Sequence, residues 1–236
     1  MKYARFAVIG AVVLLGLSAA ACEAAESWSS LASPDGMFRI EFSVGDKGKP
    51  LYRVRRGEDE VIRPSGLGFV EAGGEDWTGG YVKAELGAAE LHDGSWRPVW
   101  GERSLVRDHY RGAVVLFRRP GPLAGLKLEV RAYDSGVAFR YLVGTRGEKK
   151  SINIESEKTE FCFTADHKTW AVYSAQGKYS KVKLSELRSS VERPCVLETG
   201  AGKVIAIAEA ALVDYARMRL RRSEDSPRTL VSRLHG

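Results

Sequence analysis

The chain has 236 residues, 44% of them hydrophobic, enough to bury one good-sized core and at the upper end for a single all-β domain. Its 36 basic and 30 acidic residues leave a formal net charge of only +6, too weak an excess to argue for a nucleic-acid partner. Three cysteines, with no CxxC and no Cys/His cluster, give no zinc site.

Residues 1–21 stand apart from the core. Lys2 and Arg5 precede an apolar run, which ends in Ser18, Ala19, Ala20 and Ala21 before Cys22. This is the pattern of an export signal, too short to span a bilayer, and removal is expected. Losing Lys2 and Arg5 leaves 34 basic against 30 acidic residues, a net +4. Cleavage after Ala21 satisfies the small-x-small rule. Because the next residue is Cys22, lipoprotein processing stays open beside soluble export, although Ala19 stands where a lipoprotein box has leucine. The product is then periplasmic or secreted, and held at a membrane only if Cys22 is acylated. In an oxidising compartment Cys162 and Cys195 either pair or remain two free thiols.

Residues 22–32 are small and polar and read as a tether, with one domain expected over 33–236. Ser33-Pro34-Asp35-Gly36 is a turn. Phe38, Ile40, Phe42 and Val44 then alternate with Arg39, Glu41 and Ser43, the period of two that marks a half-buried strand. Similar segments recur at 51–56, 81–86, 113–118, 126–133, 137–143, 159–163, 169–173, 204–207 and 215–220, many separated by turn residues. Only 184–190 and 209–215 read as short helical turns. More than ten strands with few helices indicate a large antiparallel β-sandwich.

Chemistry-bearing residues are sparse. His92, His109, His167 and His235 lie far apart and form no local hydrolase signature. Glu155, Glu157 and Glu160 cluster. Alternation would put the first two on one face about 7 Å apart, within the range of glycosidase carboxylate pairs, but a solvated face explains them as simply. Trp96 and Trp100 would share a face of a strand and could stack on sugar rings, with Arg97 and Glu102 hydrogen-bonding. Core packing is the plainer expectation. Arg217, Arg219 and Arg221 alternate with Met218 and Leu220, as on a strand with one solvated basic face.

Glu209 follows an apolar run and would share a face with Ile205 and Ile207. A buried carboxylate needs a compensating partner. Exposure at a strand end or the start of a helical turn would suffice, and so would a calcium ion, which takes carboxylate oxygens.

Several blocks carry a resemblance to a known family: SPDGMFRIEF, GKPLYRV and VIRPSGLGF (33–69), WRPVWGER (96–103), EVRAYDSGVAFRY (129–141), AQGKYSKVKLSEL and ERP (175–194), and IAEAALVDYARMRL (207–220). In this order they resemble the N-terminal domain of glycoside hydrolase family 97, the exported bacterial α-glucosidases and α-galactosidases. The resemblance implies an all-β, large antiparallel β-super-sandwich, galactose-mutarotase-like, placed before a (β/α)8 barrel that carries the catalytic acid and the base or nucleophile. It implies α-linked glucosides or galactosides as substrates. It also implies Ca2+ at the active site, with Glu209 matching the one glutamate that this domain lends.

No barrel follows Gly236, so the chain is expected to be inactive alone, as a truncated product or a piece that needs a separate barrel chain. One glutamate supplies at most two of the roughly six to eight oxygens that calcium takes, which leaves the ion unsupported by this chain alone. On that reading Glu209→Gln is expected to leave folding nearly unchanged. A stand-alone carbohydrate-binding module using Trp96 and Trp100 is the alternative. Mutarotase-like epimerisation rests on fold analogy alone, a weak warrant.

Overall fold

The computed structural model describes residues 27–121, 125–143, 151–210 and 212–235. The expected export signal, Cys22 and the start of the tether lie outside the described residues. The strands begin with β1 (Ser29–Ala32), β2 (Phe38–Val44), β3 (Pro50–Arg56), β4 (Asp59–Gly66), β5 (Phe69–Glu71) and β6 (Lys83–Leu86). Then come β7 (Glu90–Trp96), β8 (Val106–Arg118), β9 (Leu126–Tyr133), β10 (Gly136–Leu142), β11 (Ile154–Glu157) and β12 (Glu160–Cys162). The last are β13 (Lys168–Ala171), β14 (Ser180–Lys183), β15 (Cys195–Glu198), β16 (Val204–Ile207), β17 (Arg217–Arg222) and β18 (Thr229–His235).

Antiparallel pairing gathers these into a seven-stranded sheet, β1-β2-β3-β4-β12-β18-β17, and a five-stranded sheet, β10-β9-β8-β6 with β7 also on β8. A four-stranded sheet, β14-β13-β15-β16, and the pair β11-β5 complete the fold. The first two sheets face each other. Ile40 and Phe42 of β2 and Tyr52 of β3 are buried, as are Val115 and Phe117 of β8 and Leu128 and Val130 of β9. Ring contacts cross the layer: Phe42 meets Phe117 edge-on at 6.2 Å, and Tyr52 meets Phe139 at 5.1 Å. The same core continues through Leu184, Val191, Leu197 and Ile207 to Leu220 and Leu230. The large antiparallel β-sandwich expected from the strand pattern is the observed architecture.

Three local expectations are corrected. β1 begins inside the stretch expected as tether, and Leu31 is buried in the core. The reason is pairing: a four-residue segment with one large apolar side chain, Leu31, makes a weak pattern alone but finds a full register against β2. On β2, Glu41 and Ser43 of the face expected in solvent are also buried, while Arg39 stays partly exposed. Arg53 pairs with Glu41 at 2.6 Å and lies over the Trp28 ring, and Ser43 Oγ donates to the Ser27 carbonyl, so the N-terminal segment roofs this face.

The third correction is Glu209–Tyr215, where the described residues form no helix. Asp214 has φ +50, and so short a segment lacks the hydrogen bonds to nucleate a helix. By contrast, the 184–190 turn appears as a 3-10 helix over Leu184–Glu186.

Cys162 and Cys195 are free thiols. They belong to the seven-stranded and four-stranded sheets respectively. Burial pushes the Cys195 thiol up to about 12, which makes it a small apolar core residue rather than a nucleophile. Alkylation in denaturant without reductant is therefore expected to label the peptides of both cysteines. A peptide pair linked until reduction would contradict the free thiols.

Candidate functional site

Glu209 lies in the irregular connection from β16 to β17, just beyond buried Ile207. Its Oε2 meets Nε of Arg193, and its Oε1 accepts the backbone N–H of Met218 at 3.0 Å. The carboxylate thus pins the connection between the segment before β15 and the body of β17. Its neighbour in the cluster is Glu192, whose side chain is 8% exposed. Glu192 Oε2 is 3.3 Å from Arg193 Nη1, while Oε1 is 3.1 Å from Arg217 Nη2 and 3.4 Å from Arg219 Nε. Arg219 also donates from Nη2 to the carbonyls of Tyr173 at 2.6 Å and Ser190 at 2.8 Å. Two carboxylates and three guanidiniums therefore form one network, Glu209–Arg193–Glu192–Arg217/Arg219.

This arrangement corrects the solvated basic face expected on β17. Arg217 and Arg219 point at the carboxylate of Glu192, and Arg221 and Arg222 remain outside. β17 is an edge strand of its sheet, where charged side chains also discourage pairing with another chain. Beside the network opens a cavity of about 210 Å3, lined by Val172, Gln176, Tyr179, Glu192, Arg193 and Arg217 among others.

A second network lies near. Tyr215 OH donates to Glu157 Oε2 at 2.7 Å and Thr159 Oγ1 donates to Glu157 Oε1 at 2.6 Å. Thr159 also shares a hydrogen bond with Tyr141 OH, which accepts the N–H of Gly68. Gly68 has φ +123, and a Cβ there would stand 2.4 Å from the Trp77 carbonyl, so only glycine brings this N–H to Tyr141. Burial first, then the charge of Glu157 and its hydrogen bond, push the Tyr215 hydroxyl well above its usual range, with Tyr141 and Glu209 adding to the rise. Tyr215 accordingly stays a proton donor at every ordinary pH.

The carboxylates grouped by sequence do not converge. Glu155 is exposed, Glu157 has both oxygens occupied, and a register irregularity falls between Ile154 and Ser156. Glu160 binds Lys49 Nζ at 2.9 Å and accepts the N–H of Gly66 at 2.8 Å. β7 and β8 bring His92 and His109 to neighbouring register positions, yet each binds its own carboxylate: His92 sits 3.3 Å from Asp108 and His109 3.2 Å from Asp134. Trp96 ends β7, and Trp100 follows in the turn to β8. Both are exposed, so core packing does not explain them.

Calcium can be tested against these donors. Among the described residues no group of three or more His, Cys, Asp or Glu side chains is placed to hold a metal ion. Glu209 Oε1 accepts the Met218 N–H, and against Oε2 the Arg193 guanidinium occupies the position a cation would take. By themselves, these residues do not fit calcium. Contrary to the silent substitution expected from sequence, Glu209→Gln should lower stability by about 1–2 kcal/mol, because Arg193 loses a charge-assisted partner. Thermal melts in calcium and in chelator check this. A midpoint that calcium raises by several degrees in the wild type and not in the variant would make Glu209 a metal ligand in this chain.

The fold and its buried charge networks define an all-β module of the super-sandwich type. The Glycosyl-hydrolase 97 N-terminal family matches residues 31–235, and the chain belongs to it. The retaining alpha-galactosidase of Bacteroides thetaiotaomicron is 25% identical over 252 residues, spanning 100% of this chain and 35% of that protein. Among solved structures, a glycoside hydrolase family 97 enzyme from a Pseudoalteromonas species, in complex with acarbose, superposes with TM-score 0.75 and 29% identity, covering 87% of this chain and 32% of that one. A β-arabinopyranosidase superposes with TM-score 0.74 at 19% identity, a likeness of fold alone, over 86% of this chain and 35% of that one. The chain spans about a third of the length of the relatives it matches.

Sequence reasoning missed the Glu192 hub. ERP was visible only as a family block, and alternating arginines read as solvent-facing because their partner is 25 residues away along the chain from Arg217.

Proposed function

We propose that this chain is the non-catalytic N-terminal module of an exported family 97 α-glycosidase acting on α-linked glucosides or galactosides, working with a catalytic (β/α)8 barrel. The match across residues 31–235 to about a third of enzymes named as glycosidases carries this reading. The geometry supports a positioning role: Glu192 and Glu209 are held by arginines, and Glu157 by two hydroxyls. Glycoside hydrolysis asks for one carboxyl free to give a proton and a second facing the reacting carbon. Glu209 and Arg193 instead shape the surface beside the cavity. In an assembled enzyme the resemblance would assign Glu209 to a calcium site completed by other oxygens.

The expected result with p-nitrophenyl α-galactoside and α-glucoside is no turnover by the purified chain. Clear turnover would sink the reading. Mass spectrometry of the exported protein fixes its start: an N-terminus at Cys22, bare or acylated, is expected. Exposure of Trp96 and Trp100 favours a second reading, a carbohydrate-binding module. Titration with starch oligosaccharides and galactosides decides it, and no change in tryptophan fluorescence at millimolar sugar is the expected outcome.

A further inference from the structure

The strand pair β7–β8 behaves unlike the rest of the sandwich. Residues Tyr110–Phe117 of β8 pair with β9, whereas Val106–His109 pair only with β7, so this end of the hairpin extends as a two-stranded ribbon beyond the sheet. Such ribbons are marginal alone. This one is braced by a two-pronged bond from Arg107 to Asp93, at 2.8 and 2.7 Å, and by the His92 ring stacked on Tyr110 at 4.8 Å. Its apolar side chains nevertheless face outward. Val99 is fully exposed, Trp100 is 88% exposed, and Leu91, Trp96 and Leu105 are exposed as well.

We propose that this arm is a docking surface for the polypeptide corresponding to the remaining two-thirds of the relatives' length. The inference rests on the reading of this chain as the companion of a catalytic part. The occupant follows from three observations. The alpha-galactosidase and the Pseudoalteromonas enzyme each carry about twice as much chain outside the matched part, because the match covers only 32–35% of their length. The exposed set mixes two tryptophans with valine and leucines. Aromatic faces can stack on sugars, but aliphatic side chains gain little there and much against apolar protein. Arg97 and Arg103 flank the tip against the single carboxylate of Glu102, so a second copy would bring like charges together, while an apolar patch rimmed by acidic side chains is complementary. The bracing keeps the ordering penalty on docking small.

The test is a fusion in which the mature chain replaces the matched third of the Bacteroides thetaiotaomicron enzyme. Hydroxyl-radical oxidation of Trp96, Val99 and Trp100 is read by mass spectrometry in the fusion and in the free chain, with exposed Trp170 as reference. The expected result is a several-fold drop in oxidation at the arm in the fusion, with Trp170 unchanged. Val99→Asp with Trp100→Ser should leave the melting midpoint of the free chain in place and lower that of the fusion.

Unchanged oxidation in a fusion that turns over p-nitrophenyl α-galactoside overturns the docking surface, as does a fusion whose two parts melt independently. Protection of the free chain by raising its own concentration, or by adding oligosaccharide, also overturns it in favour of a second copy or a sugar. Protection in a fusion that lacks turnover upholds docking and counts against the enzymatic reading alone.

Discussion

Glu192→Ala is expected to lower the stability of the chain by about 3–5 kcal/mol, the loss typical when one member of a buried ion pair is removed and its partners are left behind. Glu192 is the only carboxylate shared by Arg193, Arg217 and Arg219 in the network. The three partners do not contribute equally. Arg217 is 37% exposed, and water screens most of its attraction, whereas Arg193 and Arg219 are 18% and 20% exposed and lose more. For a domain of this size the midpoint should fall by roughly 10 °C.

Glu192→Gln retains an acceptor for one guanidinium and is expected to lose about half as much. Pairing Glu192→Leu with Arg219→Met should recover stability relative to Glu192→Leu alone, because the second change removes the orphaned charge. A midpoint that barely moves in Glu192→Ala would show that solvent, not Glu192, satisfies the arginines. The functional consequence lies at the cavity: without Glu192, Arg193 and Arg217 lose their common anchor on its wall.

Phe117→Ala should be of similar severity, about 3–5 kcal/mol, through lost burial and the cavity left behind. Phe117 is fully buried on β8, with Ala84 and Leu126 as its cross-strand neighbours. Its ring contacts Phe42 of the opposing sheet and Tyr81 at 5.9 Å, so it ties the two layers together. Val114→Ala is the control on the same strand: Val114 is exposed, and its loss is expected to stay within about 0.5 kcal/mol. Urea unfolding measures both, with an unchanged slope expected if only the native state is affected. Equal effects at the two positions would mean that β8 does not present one face to the core.

The contrast between Phe117 and Val114 also shows why so much of the fold was legible beforehand. Strand alternation is a local property. On β9, Leu126, Leu128, Val130 and Ala132 are buried and Lys127 is exposed, as the pattern of the segment alone requires. The bounds of β2, β9 and β16 coincide with the segments read from sequence. Two short segments fared worse. β1 and the 209–215 connection take their form from pairing or from charges elsewhere, and contain too few residues for periodicity to speak. Trp96 and Trp100 were legible as unusual, but their exposure was not: a tryptophan in a strand pattern is ordinarily core, and here the ribbon carries it off the sheet.

By itself, then, the sequence determined the all-β character, the main strands and the kinship to family 97, because apolar periodicity and motif blocks are written in neighbouring residues. The tertiary structure decided the partners of the charges. Glu209 meets Arg193, Glu192 draws in Arg217 and Arg219 beside its chain neighbour Arg193, and Glu157 receives Tyr215; all but the adjacent pair span separations that no local pattern encodes. The physical reason is that a buried charge is governed by whatever dipole or counter-charge packing brings within a few ångströms. That neighbour is chosen by strand order and sheet stacking, not by the residues beside it in the chain.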